Sequence, residues 1–343
     1  MLKIAVLGAG SWGTALAVLL GNKGHQVYIW GRPEDGVRAI KDQGENTRFL
    51  PGVPVPLEVE PTEDIDEAVT GARLTVLAVP SQAVREVVTK IKPRLTPAMV
   101  LVNVAKGLEV STRLRLSQVV AEVLGEDILE RYAVLSGPSH AEEVGRGVPT
   151  AVVAAAYRKR IAFLVQDAFM APAFRVYTNP DVAGVELGGA LKNIIALGSG
   201  IAEGLGFGDN AKAALLTRGL VEITRMGVAM GGQKSTFAGL AGIGDLVVTC
   251  NSYHSRNRRA GILIGQGKSW PEALQEVGMV VEGVTTTRVA HEIARQLKVN
   301  MPITRATYQI LFRKKDPMEA VWSLMRRKKK HEIEEIVRTT ESW

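Results

Sequence analysis

Two lysines are candidate site residues, and one of them, Lys192, has sequence surroundings that suit acid–base chemistry. It lies in the segment GGALKN (residues 188–193), which opens a largely apolar helical pattern. Burial on such a helix would lower the pKa of the lysine towards neutrality, where it can donate and accept a proton. The neighbouring Asn193 can both donate and accept hydrogen bonds. A lysine whose stem packs while its amine reaches water would give the same pattern, and that alternative stays open.

The second lysine, Lys106, follows the apolar run Val100–Val104. The segment SGPS, with Gly137 and Ser139, similarly follows the run Ala133–Leu135. Ligands of open α/β sheets bind beyond the carboxyl ends of the strands. Both loops are therefore expected to face a binding crevice, although two plain strand-to-helix turns would have the same sequence pattern.

A glycine-rich turn lies near the amino terminus, where residues 8–13 read GAGSWG. It follows the predicted strand Lys3–Leu7 and opens a predicted helix, which is the context that a dinucleotide-binding fingerprint requires. In that fingerprint Gly8 permits the tight turn, Gly10 lets the backbone approach a pyrophosphate, and Gly13 lets the helix close on the strand. The free amides of the helix start would face the phosphate charge. A glycine-rich turn in an unrelated α/β protein is the alternative.

The second predicted strand ends in Trp30-Gly31-Arg32, where NAD-specific sites usually carry an acidic residue for the ribose. Glu34 and Asp35 come only later. Arg32 could instead pair with the 2′-phosphate of NADP or stack on adenine. NADP and NAD are therefore both plausible cofactors, and a solvated loop arginine remains the alternative.

A third group of residues has the composition of an anion site. The segment GIGD, which ends in Asp245, precedes an apolar run, and Ser255, Arg256 and Asn257 follow at a predicted helix start. Ser255 is a candidate helix cap. Arginine, amide and hydroxyl groups at a helix N-terminus suit a phosphate. A basic, exposed helix would show the same residues.

The elements that must hold these residues alternate in the first half of the chain. Continuous apolar runs predict strands buried on both faces, and helical patterns lie between several of them. This alternation predicts an α/β fold whose amino-terminal part is a Rossmann-type, doubly wound parallel sheet. The predicted strands are Lys3–Leu7, Val27–Trp30, Leu74–Val79, Val100–Val104, Ala133–Leu135, Ala151–Ala155 and Phe174–Tyr177.

After Asn179 the strand-like runs give way to long helical patterns, which predict an all-α carboxyl-terminal domain. We expect a dinucleotide-binding domain over residues 1–180, a helical substrate and catalytic domain over 181–325, and a basic tail over 326–343. The predicted helices of the second half are Val182–Ala202, Ala211–Met230, Arg288–Gln296 and Arg305–Phe312.

Composition excludes several classes of protein. Of the 343 residues, 46% are hydrophobic and 22% charged, so the chain can bury a core and is not disordered throughout. The single cysteine, Cys250, excludes an internal disulfide framework and a Cys-cluster metal site. The net charge is +7, but residues 305–330 alone hold nine basic and two acidic residues. A basic field for nucleic acid over the whole chain is therefore not supported.

The apolar segment Ile4–Leu20 raises the question of a signal peptide or a membrane span. The glycines at fingerprint spacing interrupt it, and no later apolar run reaches about 18 residues. We therefore expect no membrane span and a cytoplasmic location. The five histidines show no spacing of metal ligands, so we also expect no metal site.

Seven motifs taken together resemble the bacterial glycerol-3-phosphate dehydrogenases, the soluble NAD(P)-dependent type. They occur in the order of that family between residue 1 and about residue 325, and the resemblance implies a fold similar to 6-phosphogluconate dehydrogenase. The motifs are GAGSWG (8–13), NVAKGLE (103–109), LSGPSHAEE (135–143), GGALKNIIALGSGIAEGL (188–205), LAGIGDLVVTC (240–250), SRNRRAG (255–261) and VVEGVTTT (280–287).

The resemblance implies an enzyme that reduces dihydroxyacetone phosphate to sn-glycerol 3-phosphate with NADPH or NADH, for phospholipid biosynthesis, and a homodimer. Lys192 matches the catalytic acid–base of the family. The positions that match its substrate site are Lys106, Gly137, Ser139, Lys192, Asn193, Asp245, Ser255, Arg256 and Asn257. Besides Gly8, Gly10 and Gly13, the positions that match its cofactor site are Ser11, Trp12, Arg32, Lys106, Ala141, Arg256, Val280 and Glu282.

Two other functions stay open from the sequence. A β-hydroxyacid or phosphogluconate-type dehydrogenase would also pair a lysine with an asparagine on a helix, although Arg256, Asn257 and the GIGD segment argue against it. A non-catalytic dinucleotide-sensing module would leave the lysine and the anion pocket without a use. The basic tail matches no motif, and its role stays open.

Overall fold

The computed structural model describes residues 1–329 and residue 332, so most of the predicted tail 326–343 lies outside the described residues. Eight strands form one sheet in the order β3-β2-β1-β4-β5-β6-β7-β8. The strands are β1 (Lys3–Leu7), β2 (Gln26–Trp30), β3 (Val59–Thr62), β4 (Leu74–Leu77), β5 (Val100–Asn103), β6 (Tyr132–Ser136), β7 (Thr150–Ala156) and β8 (Phe174–Asn179).

The sheet is parallel except at one position, so the Rossmann-type prediction is confirmed with one change. Strands β1 to β6 are parallel, and β8 is parallel to β7. Strand β7 runs antiparallel to β6. The segment between them, residues 137–149, contains only the short helix Ala141–Gly145, which packs on the helix Ser11–Asn22 instead of crossing the sheet. The next strand therefore returns in the opposite direction.

Helices cover both faces of the sheet. In β1, Ile4 and Val6 face one apolar cluster, whereas Ala5 and Leu7 face the other, as the two-residue period of a strand requires. All four side chains are fully buried, which explains the continuous apolar run. The helices of this half are α1 (Ser11–Asn22), α2 (Val37–Gln43), α3 (Ile65–Val69), α4 (Val84–Ile91), α5 (Leu116–Leu124), α6 (Ala141–Gly145) and α7 (Lys159–Phe169).

The second half of the described chain is helical, and its central element is α8. This helix is buried along nearly its whole length and contacts α9, α11, α12 and α14 as well as strands β6 and β7. None of the helices among the described residues is long and apolar enough to cross a membrane. The helices of this half are α8 (Val182–Gly204), α9 (Asp209–Ala229), α10 (Lys234–Phe237), α11 (Asp245–Asn251), α12 (Arg256–Gly265), α13 (Trp270–Val277), α14 (Glu282–Gln296), α15 (Pro302–Arg313) and α16 (Pro317–Met325).

Glycines let α8 and α12 cross at very short range. A Cβ atom on Gly200 would lie 2.1 Å from the carbonyl oxygen of Arg258, and one on Gly261 would lie 2.2 Å from the carbonyl oxygen of Leu197. Real Cβ atoms do not approach backbone oxygens this closely, so only glycine fits at these positions. The crossing brings the start of α12 towards the middle of α8, where Lys192 lies.

Candidate active site

One cleft of about 780 Å³ contains most of the predicted site residues. It lies between the carboxyl end of the sheet and the helical half. Gly13 and Gly137 are buried just behind its lining. The predicted residues that line it are Gly8, Gly10, Ser11, Trp12, Arg32, Lys106, Ser139, Ala141, Lys192, Asn193, Asp245, Ser255, Arg256, Asn257, Val280 and Glu282.

The glycine-rich turn has the shape that a dinucleotide needs. Gly8 adopts a φ of +121°, and a Cβ there would lie 2.7 Å from the carbonyl carbon of Ala78. A Cβ on Gly13 would lie 1.8 Å from the carbonyl oxygen of Gly8, so α1 packs directly on the turn. Nothing lies within 4 Å of a Cβ built on Gly10, which leaves open space beside the start of α1. These residues therefore fit a pyrophosphate at the N-terminus of the helix.

The predicted ribose end holds Arg32 between two acidic residues. Its Nε and Nη2 atoms donate to Asp35 at 3.1 Å each, and Nη1 lies 3.0 Å from Glu34. The side chain keeps 59% of its surface exposed. Arg48 and Phe49 line the same end of the cleft, and sequence reasoning missed both. A guanidinium held in this way is available to a phosphate, provided that the phosphate competes with the carboxylates.

The centre of the cleft is an ion cluster built on Asp245. Its Oδ2 atom accepts a hydrogen bond from Lys106 at 2.9 Å, and its Oδ1 atom accepts one from Lys192. The Lys192 amine also donates to Thr249 Oγ1 at 2.8 Å. Lys106 comes from the loop after β5, Lys192 from α8, and Asp245 and Thr249 from α11. The two candidate lysines thus meet in the cleft, with Asp245 between them.

Burial controls the charge of this cluster. It lowers the pKa of Lys192 to about 7, with Asp245 acting in the opposite direction and Lys106 adding to the decrease. Burial would raise the pKa of Asp245, but the two ammonium groups outweigh that effect and the pKa is lowered. Near neutral pH the carboxylate is charged and the Lys192 amine can change its protonation state. A group of this kind can act as an acid in one direction of a reaction and as a base in the other.

Two asparagines join the predicted lysine site to the predicted anion site. Asn193 donates to the carbonyl oxygen of Lys106 at 3.1 Å, and Asn257 donates to Asn193 Oδ1 at 2.9 Å. The Oδ1 atom of Asn257 accepts from the backbone N–H of Gly283 at 2.8 Å. Both polar atoms of the Asn257 side chain are therefore engaged in this structure. The amide nitrogen of Asn257 carries two N–H groups, so it can donate to Asn193 and also donate to a phosphate.

The arginines of the predicted anion site have different surroundings. Arg256 lines the cleft, whereas Arg258 points away and pairs with Glu203, with 2.9 Å between Nε and Oε2. Ser255 Oγ accepts from the backbone N–H of Arg258 and caps α12, as the sequence indicates. Arg256 is thus the arginine of the RNRR run that lines the candidate ligand site.

Glu282 connects the two halves across the cleft. It starts α14, and its carboxylate accepts from the backbone N–H of Ser81 at 2.9 Å and from Ser81 Oγ at 2.6 Å. Burial raises the pKa of this carboxyl group, and the hydrogen bonds from Ser81 oppose the increase. Sequence reasoning singled out Glu282 but missed Ser81, because a contact between positions 201 residues apart leaves no local pattern.

Sequence reasoning also missed Thr249 and His140, two polar residues of the cleft. Thr249 lies four residues after Asp245, a spacing that puts both side chains on one face of α11 and could have indicated it. His140 lies inside the motif LSGPSHAEE, but it follows no recognised spacing. The described residues contain no group of three or more His, Cys, Asp or Glu side chains that could hold a metal ion.

A glycine-rich turn on a parallel sheet, facing a buried lysine of a helical half, defines an NAD(P)-dependent dehydrogenase architecture. Two family models match this chain: the NAD-dependent glycerol-3-phosphate dehydrogenase N-terminus over residues 3–162, and the C-terminus of the same family over residues 181–322. The chain therefore belongs to the NAD-dependent glycerol-3-phosphate dehydrogenase family.

Individual relatives agree with this assignment. A glycerol-3-phosphate dehydrogenase [NAD(P)+] of Syntrophomonas wolfei is 61% identical and is covered completely, as is this chain. One of Moorella thermoacetica is 59% identical over 97% of this chain and 98% of its own length. The crystal structure of glycerol-3-phosphate dehydrogenase from Coxiella burnetii is 41% identical, with a TM-score of 0.90 over 94% of this chain and 98% of that one.

Proposed function

We propose that this chain is an NAD(P)-dependent glycerol-3-phosphate dehydrogenase that reduces dihydroxyacetone phosphate to sn-glycerol 3-phosphate for phospholipid biosynthesis. The observation that carries the proposal is the cluster of Lys192, Asp245 and Lys106 in the same cleft as the glycine-rich turn. The family supports the oxidoreductase class and the use of NAD or NADP.

The coenzyme would lie along the sheet side of the cleft. When bound in its reduced form, it supplies a hydride to the ketone carbon of the substrate. The backbone at Gly10 and the start of α1 would hold the pyrophosphate, and Arg32 would hold the ribose end. The remaining residues that we assign to the coenzyme are Gly8, Ser11, Trp12, Gly13, Lys106, Ala141, Arg256, Val280 and Glu282.

Lys192 is proposed as the catalytic acid. Negative charge grows on the carbonyl oxygen during reduction, and an ammonium group beside that oxygen stabilises the charge and donates the proton. Asp245 would hold the lysine in place and keep part of its population protonated. Lys106 would add a second positive charge. In the oxidation direction the neutral amine of Lys192 would accept the proton from the alcohol.

The start of α12 is proposed to hold the substrate phosphate. Arg256 supplies a charge that faces the cleft, and the free backbone amides at the helix N-terminus favour an anion. Fixing the phosphate would orient the carbonyl group relative to Lys192. The other residues that we assign to the substrate are Gly137, Ser139, Asn193, Ser255 and Asn257.

The two alternatives are less well supported. The family assignment does not favour a β-hydroxyacid or phosphogluconate-type dehydrogenase. A dinucleotide sensor would have no use for a buried lysine whose burial lowers its pKa to about 7 beside two other charges.

We further propose a cytoplasmic homodimer whose chain divides into domains near residue 180. The gap between the end of β8 at Asn179 and the start of α8 at Val182 supports the division.

The assignment of Lys192 is tested by Lys192→Met, which keeps the apolar stem and removes the amine. We expect the rate of NADPH oxidation with dihydroxyacetone phosphate to fall at least about 100-fold, because general acid catalysis contributes about that much. Binding of NADPH, followed by its fluorescence, is expected to be retained.

The matched control is Lys268→Met, at an exposed lysine that pairs with Glu276 on α13 outside the cleft. It should leave the rate and the binding of NADPH unchanged. Turnover near that of the unmodified protein in the Lys192 variant would reject the catalytic role. Absence of triose phosphate reduction in the unmodified protein would reject the proposed activity itself.

A further inference from the structure

His140 is a cleft residue to which the proposed mechanism gives no role. It follows β6, is half-buried and lines the cleft beside Ser139 and Ala141. Its Nε2 atom is fully buried, and no hydrogen-bond partner for it exists among residues 1–329 and 332. A buried polar atom without a partner destabilises the folded state, so such an atom beside a ligand cleft calls for an explanation.

Burial and two neighbouring ammonium groups favour the neutral ring of His140. Burial lowers the pKa of the imidazole, and the nearby ammonium groups of Lys192 and Lys106 lower it further, while Glu142 and Asp245 act in the opposite direction. The ring of His254 lies 5.8 Å away at an angle of 52° and is the only aromatic ring in contact with it among the described residues. A neutral imidazole offers one hydrogen-bond donor and one acceptor, which suits an uncharged polar group of a ligand.

The proposed substrate has three polar parts, and the cleft has assigned partners for two of them. The phosphate would face Arg256 and the start of α12, and the carbonyl oxygen would face Lys192. None of the substrate residues assigned above has been placed specifically at the terminal hydroxyl group. We propose that the ring of His140 turns to present Nε2, which has no exposed surface in this structure, to this hydroxyl group. His140 would so select a hydroxylated triose phosphate over an analogue that lacks the hydroxyl. This inference rests on the proposed function and adds a specificity-determining residue to it.

The test compares two substrates that differ only in this group: dihydroxyacetone phosphate and acetonyl phosphate, which carries a methyl group in place of the terminal hydroxymethyl group. For the unmodified protein we expect kcat/KM to favour the hydroxylated substrate by about 10- to 100-fold, because the analogue leaves Nε2 unpaired. In His140→Phe the two substrates should become nearly equal. His140→Gln places an amide nitrogen near the position of Nε2 and should restore most of the preference.

The remaining measurements separate this role from others. His291→Phe is the control, because His291 stacks on Tyr308 at 4.0 Å outside the cleft, and it should keep the full preference. An unchanged preference in a folded His140→Phe variant would overturn the proposal, as would an equal loss with both substrates. A rise in the KM for NADPH alone would assign His140 to the coenzyme. If His140→Phe does not fold, His140→Gln provides the test. A Gln variant that has a normal melting temperature but no preference for dihydroxyacetone phosphate contradicts the proposed hydrogen bond at Nε2.

Discussion

At the scale of single residues, the site depends on the balance between burial and charge at Lys192. Its pKa of about 7 results from burial, which Asp245 partly offsets. The sequence could predict that a lysine in the apolar segment 188–193 would titrate near neutrality. It could not predict that Lys106 and Lys192 share one carboxylate, because that geometry depends on the packing of three distant segments.

The first prediction at this scale concerns pH. Asp245 raises the pKa of Lys192, so Asp245→Asn should lower that pKa below about 7. Ketone reduction uses the ammonium form, and its rate declines as pH rises through this pKa. The decline should therefore begin at lower pH in the variant. At about pH 8 we expect at least about a tenfold lower kcat, since one pKa unit corresponds to a factor of ten.

The measurement is kcat for reduction at saturating NADPH, from about pH 5.5 to about pH 8.5. The control is Asp42→Asn, at an exposed aspartate near the end of α2. A decline at the same pH in the Asp245 variant and the unmodified protein would show that Asp245 does not support the protonated lysine.

At the scale of elements, the crossing of α8 and α12 sets the distance between Lys192 and the start of α12. The spacing of glycines at 200 and 204 on α8, and at 261 and 265 on α12, permits backbone contact along two turns of each helix. These two helices carry the proposed acid and the proposed phosphate site, so their separation affects catalysis as well as stability.

Gly261→Ala tests this role of the crossing. The new methyl group would lie 2.2 Å from the carbonyl oxygen of Leu197, so α12 has to move away from α8. We expect the free energy of unfolding to fall by about 1 to 3 kcal/mol or more, and the KM for dihydroxyacetone phosphate to rise. Urea unfolding and steady-state kinetics measure the two effects.

Gly208→Ala provides the matched control, because nothing lies within 4 Å of a Cβ there and its φ is −84°. A KM that stays constant in the Gly261 variant while stability falls would show that the crossing has a purely structural role.

The elements also show where sequence reasoning succeeds and where it does not. The predicted strands with continuous apolar runs all occur within about two residues of their observed ends. Strand β3 was missed because its sequence, VEPT, is short, half-exposed and contains Pro61 at the edge of the sheet. The reversal of β7 was missed because strand direction depends on where the preceding helix packs, and the sequence of β7 does not encode that.

At the scale of the whole molecule, buried acids join distant helices. Glu222 of α9 accepts from the backbone N–H groups of Ile303, at 2.5 Å, and Thr304, at 3.1 Å, at the start of α15. Burial raises the pKa of its carboxyl group to about 7, against the lowering effect of these hydrogen bonds. In the unfolded chain the group should titrate near 4.5.

This difference predicts a pH-dependent stability. Below about pH 4.5 the carboxyl group is protonated and uncharged in both the folded and the unfolded state, so its burial has no charge-dependent effect on stability. As pH rises to about 7, the carboxyl group ionises first in the unfolded state. The free energy of unfolding therefore falls by up to about 3 kcal/mol. Glu222→Gln removes this pH-dependent loss of stability. The melting temperature of the variant minus that of the unmodified protein should therefore increase between about pH 5 and about pH 8.

The exposed Glu58→Gln serves as the control and should show no such trend. A difference in melting temperature that is constant with pH would contradict the prediction for Glu222. A pH-independent loss from the missing hydrogen bond would shift all values of the Glu222 variant equally and leave the trend intact.

The origin of the charged cluster has a consequence for incomplete chains. Its three members come from a loop in the first third of the sequence, from the central helix and from a helix beyond residue 240. A nascent polypeptide or a clipped fragment can complete the glycine-rich turn long before these charges meet. Such a species lacks the charges that we propose for proton transfer, so we expect no reduction of triose phosphate before synthesis and folding have reached Asp245 in α11.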